Sequence, residues 1–220
     1  MKTVFVTACG TGVGKTVVTA ILCRQLAAKG LLVRAVKPII SGYTEEEGGD
    51  THLLMEAQGL PDTPDSVDRV SPWRFRAPMS PDMAARREGR YIDFEALLAF
   101  CEDCRKGPED LLLIEGIGGA MVPLTDHRTV RDWIAALDVP VLLATGSYLG
   151  SLSHGLTTAE ALAHRGIETR AVIVSQSLGS PVPLDETVET FQRFLEGVRV
   201  IALPRLLSFD CAPDLTQALG

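Results

Sequence analysis

A surplus of positive charge is missing from this chain: 21 Lys and Arg stand against 28 Asp and Glu, so the net charge is −7 and the pI near 5.1. No global field exists to draw in nucleic acid or an acidic membrane surface, so any anion must be held by local chemistry. Paired cysteines are missing too. The five present (Cys9, Cys23, Cys101, Cys104, Cys211) are odd in number and scattered, which suits a reducing compartment better than a disulfide framework. Cys101 and Cys104 form a C-x-x-C, but no second Cys or His pair completes a zinc site, and the surrounding ALLAF-CEDC-RKG reads as a helix end, so they are expected to be structural thiols. Long apolar runs are absent as well. The N-terminal run is broken by glycines too early for a secretory segment or a membrane span, so a cytoplasmic location is expected. At 46% hydrophobic and 22% charged, 220 residues have the composition and length of one globular domain.

What the chain does have is a regular alternation. Apolar runs at Thr3 to Ala8, Leu32 to Lys37, Leu111 to Glu115, Val139 to Thr145, Arg170 to Ser175 and Val198 to Leu203 read as strands. Between them, helical patterns run from Val17 to Leu26, Asp93 to Lys106, Val130 to Leu137, Leu152 to Arg165 and Leu184 to Leu195. Gly30 sits where a helix C-cap is expected. This β/α succession predicts a mostly parallel sheet with helices on both faces. Residues 42–90 are an irregular excursion rich in Pro, Asp, Glu and Arg, with one clear helix around Asp50 to Gln58. In an open α/β sheet, ligands bind at the carboxyl ends of the strands, so the glycine turn, the Lys37 to Gly42 loop and the loop after Glu115 fall together.

Gly10-Thr11-Gly12-Val13-Gly14-Lys15-Thr16 directly follows the first strand and opens a helix. Glycines there let N–H groups curl around phosphate oxygens, the helix N-terminus adds positive potential, Lys15 meets the β/γ charge, and the Thr16 hydroxyl reaches Mg²⁺. It ends as a Walker A loop does, with Cys9 where the first glycine of that pattern belongs, so the fold class expected is that of P-loop NTPases. Glu115, after the buried run Leu111 to Ile114 and before Gly116-Ile117-Gly118-Gly119, fits the acidic metal partner such a loop needs. Asp50 is a second candidate ligand, with helix N-capping as its competing role and Glu45, Glu46 and Glu47 as competing carboxylates. Lys37, ending the second strand before Pro38, would enter the same crevice, and two lysines at one anion site imply more negative charge than a bare nucleotide brings.

Five segments, in order, are similar to the motifs of the dethiobiotin synthetase family. They are Thr7 through Thr16, Lys37-Pro38-Ile39-Ile40-Ser41-Gly42, Ser80-Pro81 with Glu88 through Ile92, Glu115 through Gly119, and Leu149-Gly150-Ser151-Leu152-Ser153-His154. The resemblance implies a cyclo-ligase that closes a ureido ring on 7,8-diaminononanoate with CO₂ and ATP, through a carbamate and a carbamic-phosphoric anhydride. It implies Lys37 and Lys15 as catalytic residues, and Thr16, Asp50 and Glu115 as holders of Mg²⁺. Nucleotide contacts are implied at Gly12, Val13, Gly14, Lys15, Thr16, Val17, Asp50, Glu115, Gly116, Ile117 and Gly118, and around the base at Ser175, Gln176, Pro204, Arg205 and Leu206. Thr11 and Ser41 are implied for the diamine or its carbamate, and Gly150, Ser151, Leu152 and Ser153 of a second subunit for its carboxylate, so the active form is a homodimer.

Three departures from the family pattern stand out. Gly12 replaces a common glutamate, Ser175-Gln176 replaces the family's adenine-reading Asn-Asp, and Thr187 lies in a helix where the family has a tyrosine. The competing reading is a switch ATPase of the MinD/ParA kind, which shares sheet order and P-loop but carries an extra lysine where Gly10 stands. A cobyrinate amidase-type synthetase would need a glutaminase domain for which this chain is too short. His127, His154 and His164 read as surface or capping residues, with at most an orienting role for His154.

Overall fold

The computed structural model describes residues 2–44 and 49–220, so Glu45, Glu46 and Glu47 lie outside the described residues. Eight strands are present among those residues: β1 Lys2–Ala8, β2 Val33–Val36, β3 Ile39–Ser41, β4 Trp73–Phe75, β5 Leu111–Glu115, β6 Val141–Gly146, β7 Thr169–Ser175 and β8 Arg199–Leu203. The helices are α1 Lys15–Ala28, α2 Gly49–Ala57, α3 Pro64–Val70, α4 Pro81–Arg87, α5 Phe94–Cys104, α6 Val130–Leu137, α7 Ser151–Ala163 and α8 Leu184–Phe194. Six strands form one sheet in the order β2-β5-β1-β6-β7-β8, and every pairing in it is parallel.

Strand periodicity decides which face each helix covers. Phe5, Leu112, Ile114 and Val141 point to one side, where they pack with Leu97, Cys101, Val130, Trp133 and Leu162 of α5, α6 and α7. Val4, Val6, Leu111, Leu113 and Leu142 point to the other, against Val18, Ile21, Leu22 and Leu54 of α1 and α2. Phe5 meets Trp133 edge-on, with ring centroids 4.8 Å apart. Cys101 and Cys104 are buried in the first of these cores, and burial pushes the Cys101 thiol up to about 12, which fits inert structural thiols.

Local capping explains the helix ends. Thr129 and Asp132 form a reciprocal capping box that starts α6, and Asp93 accepts from the Glu95 and Ala96 N–H groups to start α5. At the end of α1, Gly30 donates to Ala27 O and Leu31 to Leu26 O, the glycine-closed ending its position predicts. His164 is the C-cap residue of α7, and His127 is exposed.

The excursion holds more structure than its composition predicts. It carries α3 and α4 besides α2, and its strand β4 pairs in parallel with β3, Ile39 opposite Trp73 and Ser41 opposite Phe75. β2 is shorter than expected: Lys37 leaves the sheet, its N–H donating to Val70 O. Among the described residues, no helix is long and apolar enough to cross a membrane.

Candidate active site at the carboxyl end of the sheet

The turn from β1 into α1 is shaped by Gly14. Its φ of +93° lies in the left-handed region, and a Cβ there would sit 2.8 Å from Ser175 Oγ, so both conformation and space require glycine. Helix α1 then opens with no acidic residue in its first turn, leaving its N-terminal positive potential uncancelled. The second glycine-rich segment comes close to this turn. A Cβ on Gly119 would stand 3.1 Å from Cys9 O, and Lys15 Nζ ties the two segments together, donating to Gly10 O at 3.0 Å and Gly118 O at 2.8 Å.

Below the loop lies a closed polar network. Glu115, fully buried at the end of β5, accepts through Oε1 from Thr16 Oγ1 at 2.7 Å and from Lys37 Nζ at 2.7 Å. Lys37 also pairs with Asp50 in the first turn of α2. Asp50 is thus an ion-pair partner rather than a cap. Burial disfavours the Lys37 ammonium, but Glu115 and Asp50 outweigh it and hold the group above its ordinary pKa. For Asp50, burial acts upward and Lys37 overrides it, keeping the carboxyl below its usual range. Among the described residues, Lys15 pairs with no carboxylate, its Nζ donating instead to the Gly10 and Gly118 carbonyls. Burial, helped by the charge of Lys37, pulls it down to about 8 despite Glu115.

A cavity of about 580 Å³ opens above this network. Of the residues singled out in the sequence, it is lined by Thr11, Gly12, Gly14, Lys15, Thr16, Val17, Lys37, Ser41, Asp50, Ile117 and Gly118. Its remaining wall includes Ile40, Ser80 and Pro81 of the matched segments, together with Leu53, Val122, Pro78 and Met79, which the sequence did not single out. A signal existed in Ser80-Pro81-Asp82, a helix-start pattern that turns the chain back over the sheet. The cavity therefore has a charged end, carrying Lys15, Lys37 and Asp50, and an apolar side.

Other expected residues lie elsewhere. Val13 is buried with Ala8 and Ala144 beneath the loop, and Gly116 is packed against the Phe5 ring. Ser175 reaches the back of the loop at Gly14, with its buried Oγ unpartnered. Gln176 accepts the Arg205 N–H through Oε1 at 3.0 Å, while Leu206 is partly buried in the α1-side core and Pro204 is exposed. Gly150, Ser151, Leu152 and Ser153 do not line the cavity; they form the start of α7, which has no side-chain cap, and Ser151 Oγ is buried and unpartnered. His154 Nδ1 is 2.8 Å from Tyr148 Oη, and Tyr148 in turn lies beside Cys9.

Among the described residues, no three His, Cys, Asp or Glu side chains gather as a metal cluster. The oxygen set of Thr16, Asp50 and Glu115 nonetheless suits Mg²⁺, which takes one or two carboxylates and keeps its waters. Glu115 Oε2 is buried and, among the described residues, has no hydrogen-bond partner, which leaves it open to a cation.

Comparison with known proteins adds the chemistry. A family model described as an AAA domain matches residues 2–217. The chain is 47% identical over 212 residues to the ATP-dependent dethiobiotin synthetase BioD of Methylobacterium nodulans, covering 93% of this chain and 94% of that protein. It is 44% identical over 217 residues to the enzyme of the same name from Acidiphilium cryptum, covering 97% and 95%. Solved structures that share the fold include the MinC:MinD cell division complex of Aquifex aeolicus, with a TM-score of 0.58 at 17% identity over 94% of this chain and 83% of that one. The Mg-ADP complex of MinD from Pyrococcus horikoshii has a TM-score of 0.57 at 18% identity, over 92% and 81%. At those identities the likeness is one of fold alone.

Proposed function

The chain belongs to the ATP-dependent dethiobiotin synthetase family, and from that premise we propose that it closes the ureido ring of dethiobiotin on 7,8-diaminononanoate, with CO₂ and ATP. The observation that carries this reading is the convergence of Lys15 and Lys37 at one end of a cavity whose side wall is apolar. A nucleotide switch needs the first of these; a second, buried ammonium suits a second anionic reactant.

In this mechanism one substrate amine captures CO₂ as a carbamate. A carbamate oxygen attacks the γ-phosphorus and ADP leaves; the second amine then attacks the carbonyl carbon and inorganic phosphate leaves. Lys15 would neutralise the β- and γ-phosphate oxygens, with the N–H groups of residues 12–17 cradling the chain of phosphates. Lys37, kept charged by its carboxylate neighbours, would offset negative charge on the carbamate and the transferring phosphoryl group. Thr11 and Ser41 would orient the amines, since both hydroxyl residues line the cavity. Mg²⁺, held by Thr16, Asp50 and Glu115, would supply further charge neutralisation at the phosphates. Most of the rate enhancement is then positioning and electrostatics.

The carboxylate tail of the diamine would be received by the uncapped start of α7, residues 150–153, of a second copy, making the active form a homodimer. Support comes from the position of that segment outside the cavity and from the exposed Leu149 beside it, 84% accessible. The nucleoside half would lie on the far side of Gly14, flanked by Ser175, Gln176 and residues 204–206. The test is phosphate release by the purified protein with ATP and Mg²⁺: it should require both the diamine and bicarbonate. Equal turnover with the diamine left out would sink the proposal in favour of a switch ATPase.

A further inference from the structure

We propose that Thr51 and Ser71 are positioning residues for Lys37, fixing where its ammonium stands in the cavity; this rests on the reading of Lys37 as a catalytic group. Lys37 follows the last residue of β2, and its backbone N–H goes to Val70 O at 3.0 Å, at the end of α3, instead of to the sheet. Its ammonium is held by Glu115 of β5 and by Asp50 in the first turn of α2. The lysine is thus gripped at its backbone by α3 and at its tip by α2. Those two grips are joined by one bond. Thr51, next to Asp50, and Ser71, next to Val70, are both fully buried, and their hydroxyl oxygens stand 2.9 Å apart.

Ser71 is a fixed post for this bond. Its N–H donates to Val67 O at 2.8 Å, and its carbonyl accepts from Arg74 Nη1, whose Nη2 pairs with Asp68 at 2.7 Å. Helix α2 is fastened at its far end as well, where the Gln58 side chain exchanges two hydrogen bonds with the Ala35 backbone of β2, at 2.8 and 3.0 Å. The hydroxyl pair therefore sets the lean of the near end, the end that carries Asp50. Leu54, Met55, Val67 and Val70 share one apolar core and draw the two helices together, but that attraction has no direction. Two apolar groups of the same shape would serve stability about as well as a buried hydroxyl pair, so what the pair contributes is geometry. Geometry matters at a reacting group, where a displacement of about 1 Å can cost about 10²-fold in rate.

The test is the double variant Thr51→Val with Ser71→Ala, which leaves neither hydroxyl unpaired and should keep the denaturation midpoint of the unaltered protein. In it kcat for diamine-dependent phosphate release should fall about tenfold, while the ATP dissociation constant stays within about twofold. Thr51→Ser keeps a hydroxyl for Ser71 and should hold kcat within about twofold of the unaltered protein. A second readout needs no turnover: acylation of lysines by an amine-reactive ester, followed by peptide mass. The Lys37 side chain, 5% exposed, should be acylated at least about fivefold faster in the double variant, whereas Lys29, 51% exposed, should keep its rate. A double variant whose kcat and Lys37 acylation both stay within about twofold of the unaltered protein would overturn the proposal, as would a tenfold loss of kcat shared by Thr51→Ser. Should the unaltered protein release no phosphate in response to the diamine, the ligase reading falls, and the acylation rates still decide whether the pair positions Lys37.

Discussion

The two sides of the nucleotide loop are built on opposite plans. On the β5 and β2 side, Glu115, Thr16 and Lys37 are buried and bonded to one another before any ligand arrives. On the β7 and β8 side, Gln176, Pro204 and Arg205 are exposed, and their contacts are mainly with backbone. Gly14 sits on the boundary, its Cα face against Ser175. A buried charge network is costly to assemble and expensive to disturb, and it fixes geometry where charge moves. An exposed rim costs little to vary.

The sharpest way to break this contrast is at Lys37. Lys37→Gln keeps a donor for Glu115 but removes the charge, so kcat for diamine-dependent phosphate release should fall by about 10²–10³, with the ratio of ATP to inosine triphosphate use unchanged. A fall in kcat accompanied by an altered base preference would mean that the two sides are not separate. The next effect is on pH. Free Lys15 loses its proton as pH rises through about 8, whereas a bound phosphate favours the ammonium. The nucleotide dissociation constant should therefore be flat below pH 8 and rise about tenfold per unit above it, and Lys15→Arg should flatten the profile. The stability consequence has the opposite sign. The unfolded lysine binds its proton up to its ordinary value of 10.5, so this group's contribution to stability increases with pH between about 8 and 10.5. The smallest effect concerns the boundary. Gly14→Ala should cost about 1–2 kcal/mol in chemical denaturation from the left-handed backbone. Ser175→Gly in the same chain should recover only the part due to the clash with Oγ, since the φ strain remains.

Much of this was legible before any coordinates. α6 spans the very residues its periodicity marks, because Thr129 and Asp132 announce the capping box in the sequence. Lys15, Thr16 and Glu115 were legible because a phosphate cradle needs those residue types at those strand and helix ends. α3 and α4 were missed because seven residues are too few for a clear apolar period, although Thr63-Pro64-Asp65 spells a capped start and Ser80-Pro81-Asp82 a Pro-initiated one without a side-chain cap bond. The partner of Asp50 was also hidden, since a carboxylate in a first helical turn has the same sequence signature whether it caps or pairs. The commitment of Gln176 to Arg205 depends on a neighbour 29 positions away, on the loop of another strand, which no local pattern encodes.

The chain's two tryptophans are divided between its sheet core and its excursion. Trp133 is wholly shielded, set edge-on to Phe5, while Trp73 is half-buried on β4 and stacks edge-on to Phe100 at 5.6 Å. The molecule thereby carries two native fluorophores with different access to a quencher such as acrylamide. Emission from the accessible one follows the excursion that walls the cavity, and emission from the shielded one follows the sheet itself, so loosening of the wall and melting of the core register as separate optical signals.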